Sequence, residues 1–243
     1  MIDNAEMQPL LDELARQRDS GRVVQFWLRD DDAVEPTEAL GRFNTMTREF
    51  KVPACLAVIP ANTGKELSTY LNNDAHISIA VHGWAHENHA PDNEKKQELG
   101  AHRGLSDIVA ELSNGFDQLK TTYPDKFTPL LVPPWNRIAD SVVNELSNIG
   151  YEALSTFGVE KSAPIRMLNT HVDLIDWKGN RGGRSAQALV ADLVKAIKET
   201  STPIGFLTHH LVHDEAAWQF MERLFKATAD NHACRWVSVK DAI

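Results

Sequence analysis

The chain has only two cysteines, Cys55 and Cys234, and both sit in apolar, strand-like stretches. They need not be paired, and a reducing compartment with two buried thiols fits them. Positive charge is also short. Against 34 Asp and Glu there are 25 Lys and Arg, giving a formal charge of -9, with no cationic run to offset it. That balance argues against a nucleic-acid partner. No apolar run approaches the ~20 residues that span a bilayer. Residues 1–20 are acidic and amphipathic and lack the basic and apolar regions of a signal peptide, so a cytoplasmic location without a membrane partner is expected. No P-loop or dinucleotide fingerprint precedes a helix, so no nucleotide cofactor is expected. Internal repeats, low-complexity tracts and linkers are missing too.

What is present is a steady alternation of strand and helix patterns. Leu10, Leu11 and Leu14 have helical spacing within 8–17. A buried strand is expected over 23–28, a helix from Pro36 to about 50, a strand over 53–59, a short helix over 65–71 and an alternating strand over 76–81. A polar segment without apolar period, 87–103, reads as surface loop or short helices near the mouth of a site. Beyond it come a helix over 106–123, a strand over 128–132, a helix over 140–149 stopped by Gly150, and strands over 151–156 and 167–175. The series closes with a helix over 186–200, a strand over 203–207, a helix over 214–229 and a strand over 234–239. Such alternation predicts a parallel α/β sheet, and seven or eight units predict a (β/α) barrel. The expected organisation is one domain over 1–243, with 1–22 as an N-terminal helical extension.

The polar clusters follow the strands. Asp30-Asp31-Asp32, His82, Pro134-Trp135-Asn136, Asp176-Trp177 and His209-His210 each come directly after an expected strand. Parallel strands share one direction, so these clusters should gather at one mouth. His82 and His86 are four residues apart, and a helical turn there would let both imidazoles converge on one point. With Asp32 they make a one-carboxylate, two-imidazole set that leaves positions open on a divalent ion. Asp31 could then serve as general base and His209 as general acid in hydrolysis of an amide or ester. Backbone amides after Pro134 could hold an oxyanion. His89, His102 and His213 read as loop histidines. Trp135 could touch substrate, and Trp177 reads as core packing. The loop 178–184, with three glycines and three cations, could be an anion cradle or a lid.

These residues, in this order, resemble the polysaccharide deacetylases of the NodB-homology (carbohydrate esterase) family. Asp31-Asp32-Ala33 is similar to its Asp-Asp-Gly motif, in which the first aspartate is the base and the second a metal ligand. His82-Gly83-Trp84-Ala85-His86 keeps the His-(Ser/Thr)-x-x-His spacing with Gly at the hydroxyl position. Val132-Pro133-Pro134-Trp135 looks like Arg-x-Pro-(Tyr/Trp) with valine for arginine. Asp173-Leu174-Ile175-Asp176-Trp177 matches Asp-x-x-Asp-Trp, and Phe206-Leu207-Thr208-His209 loosely resembles Leu-x-Leu-His. The resemblance implies a distorted (β/α)7-type barrel and a zinc-class divalent ion, with cobalt, nickel, manganese or iron as other fits. It also implies removal of N-acyl groups, usually from amino sugars, so the expected partner is a small-molecule or oligosaccharide amide. Asp30 competes with its neighbours for the aspartate roles, and His210 with His209 for the acid. With Val132 unable to hold the base, Arg29, Arg137 or an arginine of the 179–184 loop is expected to take that role. Hydrolysis of a non-sugar C–N bond, as in cyclic amides and ureides, is the alternative activity. The same two-His, one-carboxylate set also occurs in iron oxygenases, and the missing arginine admits a silent binding protein.

Overall fold

The computed structural model describes residues 4–243; the first three positions of the expected N-terminal extension lie outside the described residues. In chain order the regular elements are α1 (Gln8–Asp19), β1 (Val24–Ala33), α2 (Glu38–Glu49), β2 (Ala54–Val58), α3 (Lys65–Leu71), β3 (Ile77–His82), α4 (Leu105–Thr122), β4 (Phe127–Val132), α5 (Asp140–Val143) and α6 (Leu146–Ile149). They continue with β5 (Ala153–Leu154), β6 (Arg166–Met167), β7 (Thr170–Asp173), α7 (Ala186–Glu199), β8 (Ile204–Thr208), α8 (Glu215–Thr228), β9 (Cys234–Trp236) and α9 (Val239–Ala242). The class is α/β, with parallel strand pairs and flanking helices. Among the described residues no helix is long and apolar enough to cross a membrane.

The chain's contacts gather in two compact units, each drawing on separated stretches of sequence. One takes the residues up to Asp30, Thr37–Ala54 and Thr170–Ala242. Within it β1 runs parallel to both β8 and β9, and β7 runs parallel to β8. Phe26 and Phe225 both pack on Trp236, at ring-centroid distances of 5.2 and 5.3 Å. Helix α1 buries Leu10 and Leu14, and Arg22 just beyond it donates to Ile197 O in the last turn of α7 and to Thr200 O just past its end. Those carbonyls lack intrahelical donors, so a cation there meets both their hydrogen-bonding need and the helix dipole.

The other unit holds Asp31–Pro36 and Cys55–Asn169. Its strands lie in the order β6-β5-β4-β3-β2, with β3 through β6 paired in parallel. Every residue of β2 and β3 is buried, as strands covered on both faces require. Against them α4 buries Ile108, Leu112, Phe116 and Leu119, a 3.6-residue stripe. Phe116 meets Tyr151 edge-on at 5.0 Å, and the Tyr151 hydroxyl donates to Leu112 O.

Several boundaries differ from the sequence expectation. Strand β1 continues through the charged run to Ala33, because ladder hydrogen bonds and burial hold Arg29 and Asp30 inside. The helix expected over 140–149 is two short pieces, α5 and α6; it does end at Gly150 in the left-handed region, φ 118°. The strand expected over 167–175 is interrupted between β6 and β7. The chain after Trp236 turns into α9 instead of continuing as strand. Cys55 and Cys234 are buried and not joined, and burial pushes the Cys234 thiol up to about 12.

Helix α8 starts from Asp214, whose Oδ1 accepts from Ala217 N at 2.9 Å and from Gly183 N at 3.0 Å. One carboxylate thus caps the helix and closes the glycine-rich loop. Asp214→Ala is expected to lower the unfolding free energy by about 1 kcal/mol, measurable by urea titration at pH 7.

Candidate metal centre

Strand β3 delivers His82 at its carboxyl end, 2% exposed. Its Nδ1 lies 2.9 Å from Val132 O at the end of β4. A carbonyl only accepts, so Nδ1 carries the proton, and in the neutral ring the Nε2 lone pair faces outward. Facing it at 3.1 Å is Oδ1 of Asp32. Two acceptors sit at that distance only with a cation between them, either a proton or a metal ion.

His86 completes the group. Its Nε2 lies 3.4 Å from the same Asp32 oxygen, and its ring centroid is 5.1 Å from that of His82. The convergence is not helical. Gly83 and His86 both adopt left-handed backbone, at φ 60° and 58°, and fold the turn back on itself. Asp32 is left-handed as well, at φ 73°, a region that short polar side chains tolerate. The ligand atoms of Asp32, His82 and His86 lie within 4.8 Å of one another. Donors ~2.0–2.1 Å from one tetrahedral ion stand roughly 3.4 Å apart. The observed 3.1 and 3.4 Å fit that, so these residues suit a divalent ion.

The electrostatics agree. Burial presses the His82 imidazolium down, but the hydrogen bond to Asp32 and the charges of Asp31 and Asp32 outweigh it, so its pKa is raised. His86 is lowered, by burial first and then by His82. Negative potential that retains a proton at His82 also favours a metal cation there. Asp31 itself is buried.

The loop after β4 frames the centre. Trp135 lies over His86 with ring centroids 4.3 Å apart, and Trp135 and Asn136 both take left-handed backbone. The amides of Asn136 and Arg137 donate within the turn, to Pro133 O and Pro134 O. Pro134 is buried. Next to this loop is a cavity of about 690 Å³ whose lining includes Asn136, Arg137, Thr156, Phe157, Lys161 and Asn169. Arg137 donates to Lys96 O, whereas Arg29 is fully buried in β1. His89 is bonded to Arg103 and His102 to Glu94, so neither joins the ligand group.

In the other unit, Asp30 and His210 are both buried and bonded to each other. Asp30 also accepts from Thr208 Oγ1 and from His210 N at 2.8 Å. Burial pushes its carboxyl up, but His210 and Thr208 bring the pKa below 3.8. His209 is half-buried with its ring edge-on to Trp177 at 4.7 Å. Trp177 is not a core residue. It is 43% exposed, and its indole N–H donates to Asp173 Oδ2. Asp176 folds the following loop by accepting from Gly179 N. Arg184 of that loop is bonded to Asp192 and to Asp173 O. His213 is no solvated loop histidine: burial above all, with His210 and His209, holds its pKa down to about 4. It packs edge-on to Trp218 at 4.3 Å.

Sequence reasoning missed Glu98. It lies in the polar segment 87–103, where no apolar period marks an inward-facing position, yet it is 1% exposed and accepts from the amides of Trp84 and Ala85. Leu99 beside it, fully buried, was the only hint.

Protein purified without chelator is expected to bind one divalent ion, and His82→Ala with His86→Ala to abolish that binding, read by calorimetry against Zn²⁺. Survival of binding in the double variant refutes the ligand assignment. Asp30→Ala strips the partner from a buried histidine and is expected to cost about 3–5 kcal/mol at pH 7. Because the folded pKa of Asp30 is depressed, that contribution is complete above about pH 4 and fades as pH falls further. Urea titrations at pH 7 and pH 3 check both points.

No protein-family model matches the sequence, and no curated protein sequence matches it either. Solved structures do match in fold. A protein from Mycobacterium smegmatis designated a polysaccharide deacetylase aligns with a TM-score of 0.69 at 13% identity, covering 91% of this chain and 89% of that one. A peptidoglycan deacetylase from Bacillus subtilis aligns at 0.56 and 14% identity, covering 91% and 90%. A family 4 acetyl xylan esterase from Clostridium thermocellum, solved with a cobalt ion, aligns at 0.56 and 13% identity, covering 90% and 89%. The chain therefore has the α/β barrel fold seen in polysaccharide deacetylases and family 4 carbohydrate esterases.

Proposed function

We propose that the chain is a metal-dependent hydrolase that removes an N-acyl group, acetyl foremost, from an amino sugar or another amide. The observation that carries this reading is the meeting of Asp32, His82 and His86 at one point, with the His82 ring oriented by Val132 O. The chemistry a divalent ion supplies there is Lewis acidity, which acidifies an adjacent water toward pKa ~7 and polarises an acyl carbonyl. Zinc suits the donor set best, and cobalt, the ion named with the Clostridium thermocellum esterase, has similar preferences.

The remaining roles follow from the chain's own residues. Asp31 is the general base: it adjoins the ligand Asp32 in sequence, and its charge acts on His82. Arg29, buried in the same strand and two residues earlier, is the cation we assign to that carboxylate in place of the arginine replaced by Val132. His209 is the general acid that protonates the leaving nitrogen; His210 is committed to Asp30, which favours His209 of the two. With the Asn136 and Arg137 amides engaged in the turn, the oxyanion role falls to the amide of Trp135. The Trp135 ring, half-buried over His86, offers a flat wall to a sugar or amide plane.

The cavity beside this loop favours keeping the second reading, hydrolysis of a small non-sugar amide. Its volume of about 690 Å³ matches small-molecule pockets, and Phe157 and Val159 give it an apolar side. Zn²⁺-loaded protein assayed against N-acetylglucosamine oligomers and against cyclic amides and ureides distinguishes the two. In either case Asp31→Asn and His209→Ala are each expected to lower kcat by about 10²–10⁴ while Zn²⁺ affinity stays within a few-fold. Iron binding with oxygen-dependent turnover overturns the hydrolase reading, and full activity in Asp31→Asn overturns the assignment of Asp31 as base.

A further inference from the structure

The two imidazoles of the metal centre are held in different ways. His82 ends a buried strand and is bonded to Val132 O. His86 has no strand beneath it, and its place depends on the turn over residues 83–87. Left-handed residues in such a turn aim successive backbone N–H groups into one concavity, a geometry that binds anions. The anion in this turn is supplied by the chain itself. Glu98 Oε2 accepts from Trp84 N at 3.2 Å, while its Oε1 accepts from Ala85 N at 2.8 Å and, at the long end, from Glu87 N at 3.5 Å.

Space for that carboxylate comes from Gly83. A Cβ at this position would lie 2.0 Å from Glu98 Oε2 and 2.7 Å from the Pro134 ring. Glycine therefore does two things at once, taking φ 60° and leaving the volume that the carboxylate and the proline fill. Glu98 is itself held from both sides. Before it, Gln97 N donates to Asn88 Oδ1 and His89 N donates to Gln97 O. After it, Leu99 bridges to Ile138, and Ala139 N donates to Leu99 O at 2.8 Å. The carboxylate thus stands between the turn that carries His86 and the loop that carries Trp135.

We propose that Glu98 is a positioning residue of the metal centre, its buried carboxylate setting the turn that presents His86, with Gly83 kept small to admit it. The proposal rests on the reading of Asp32, His82 and His86 as ligands. Charge-assisted bonds to several amides hold a turn more firmly than neutral ones, and partners behind a ligand typically govern affinity by about 10- to 100-fold.

The test compares wild-type protein with E98Q, which keeps the side chain's size but replaces one accepting oxygen with an amino group. Zn²⁺ affinity is measured by competition with a chelator, Co²⁺ coordination by visible absorption, and Ala85 amide protection by hydrogen exchange in metal-free protein. Expected in E98Q are Zn²⁺ binding about 10- to 100-fold weaker, an altered Co²⁺ spectrum and faster Ala85 exchange. Wild-type affinity together with a wild-type Co²⁺ spectrum in E98Q overturns the proposal. Should E98Q fail to fold, Glu98→Asp carries the same measurements: the charge stays, the reach is lost, and unchanged affinity and spectrum again overturn it. If the wild-type chain binds neither ion, the ligand reading itself fails and takes this inference with it. Binding that the variants leave intact sinks this inference alone.

Discussion

The hydrogen bond from His82 Nδ1 to the carbonyl of Val132 decides what the centre can be. It ties the end of β3 to the end of β4, sets the tautomer and turns the Nε2 lone pair toward Asp32. Without it a buried imidazole at a strand end could rotate, and the 3.1 Å approach to the carboxylate would have no fixed direction. The bond needs only a backbone carbonyl from position 132. Valine there can therefore hold the His82 ring through its backbone alone, and its side chain is buried at the strand end.

The departures from the resembled motifs have separate physical contents. At position 83 the pattern's hydroxyl residue is replaced by glycine, and the room is taken by Glu98 and Pro134. That substitution exchanges a local side chain for a carboxylate brought from a segment fifteen residues on. At position 132 the lost arginine leaves a carboxylate, Asp31, in a buried setting. A fully buried Arg29 lies in the same strand, in a sequence where cations are the minority. The three consecutive aspartates have three different environments. Asp30 bonds to His210, Asp31 is buried, and Asp32 is part-exposed beside His82 and His86. Strand alternation accounts for the change from Asp30 to Asp31, and left-handed backbone at Asp32 for the last.

Burial sorts the paired histidines in the same way. His210 is committed to a buried carboxylate and two further hydrogen bonds around it, an arrangement that fixes the end of β8. His209, one residue earlier, lies against the exposed Trp177. Neighbouring residues at a strand end point to opposite sides, so two identical side chains meet different surroundings.

The sequence alone determined most of the regular elements, because hydrophobic periodicity and capping residues are local signals: the 65–71 helix, Gly150 as a stop and Asp214 as a start all stand as read. It also determined which residue types could hold an ion, since His-x-x-x-His spacing and a strand-end aspartate are visible without coordinates. It could not say how the histidines meet, because the turn is set by two left-handed residues and not by a helix. Its preference for Asp31 and Asp32 over Asp30, and for His209 over His210, leaned on the resemblance, since identical side chains one residue apart differ only in what faces them. Glu98 was hidden for the same reason. Its partners are backbone amides that the sequence spells as Trp84, Ala85 and Glu87, and a backbone N–H carries no signature in residue type. Tertiary structure gave those residues their separate surroundings, because burial and the direction of a lone pair exist only once separated segments have packed together.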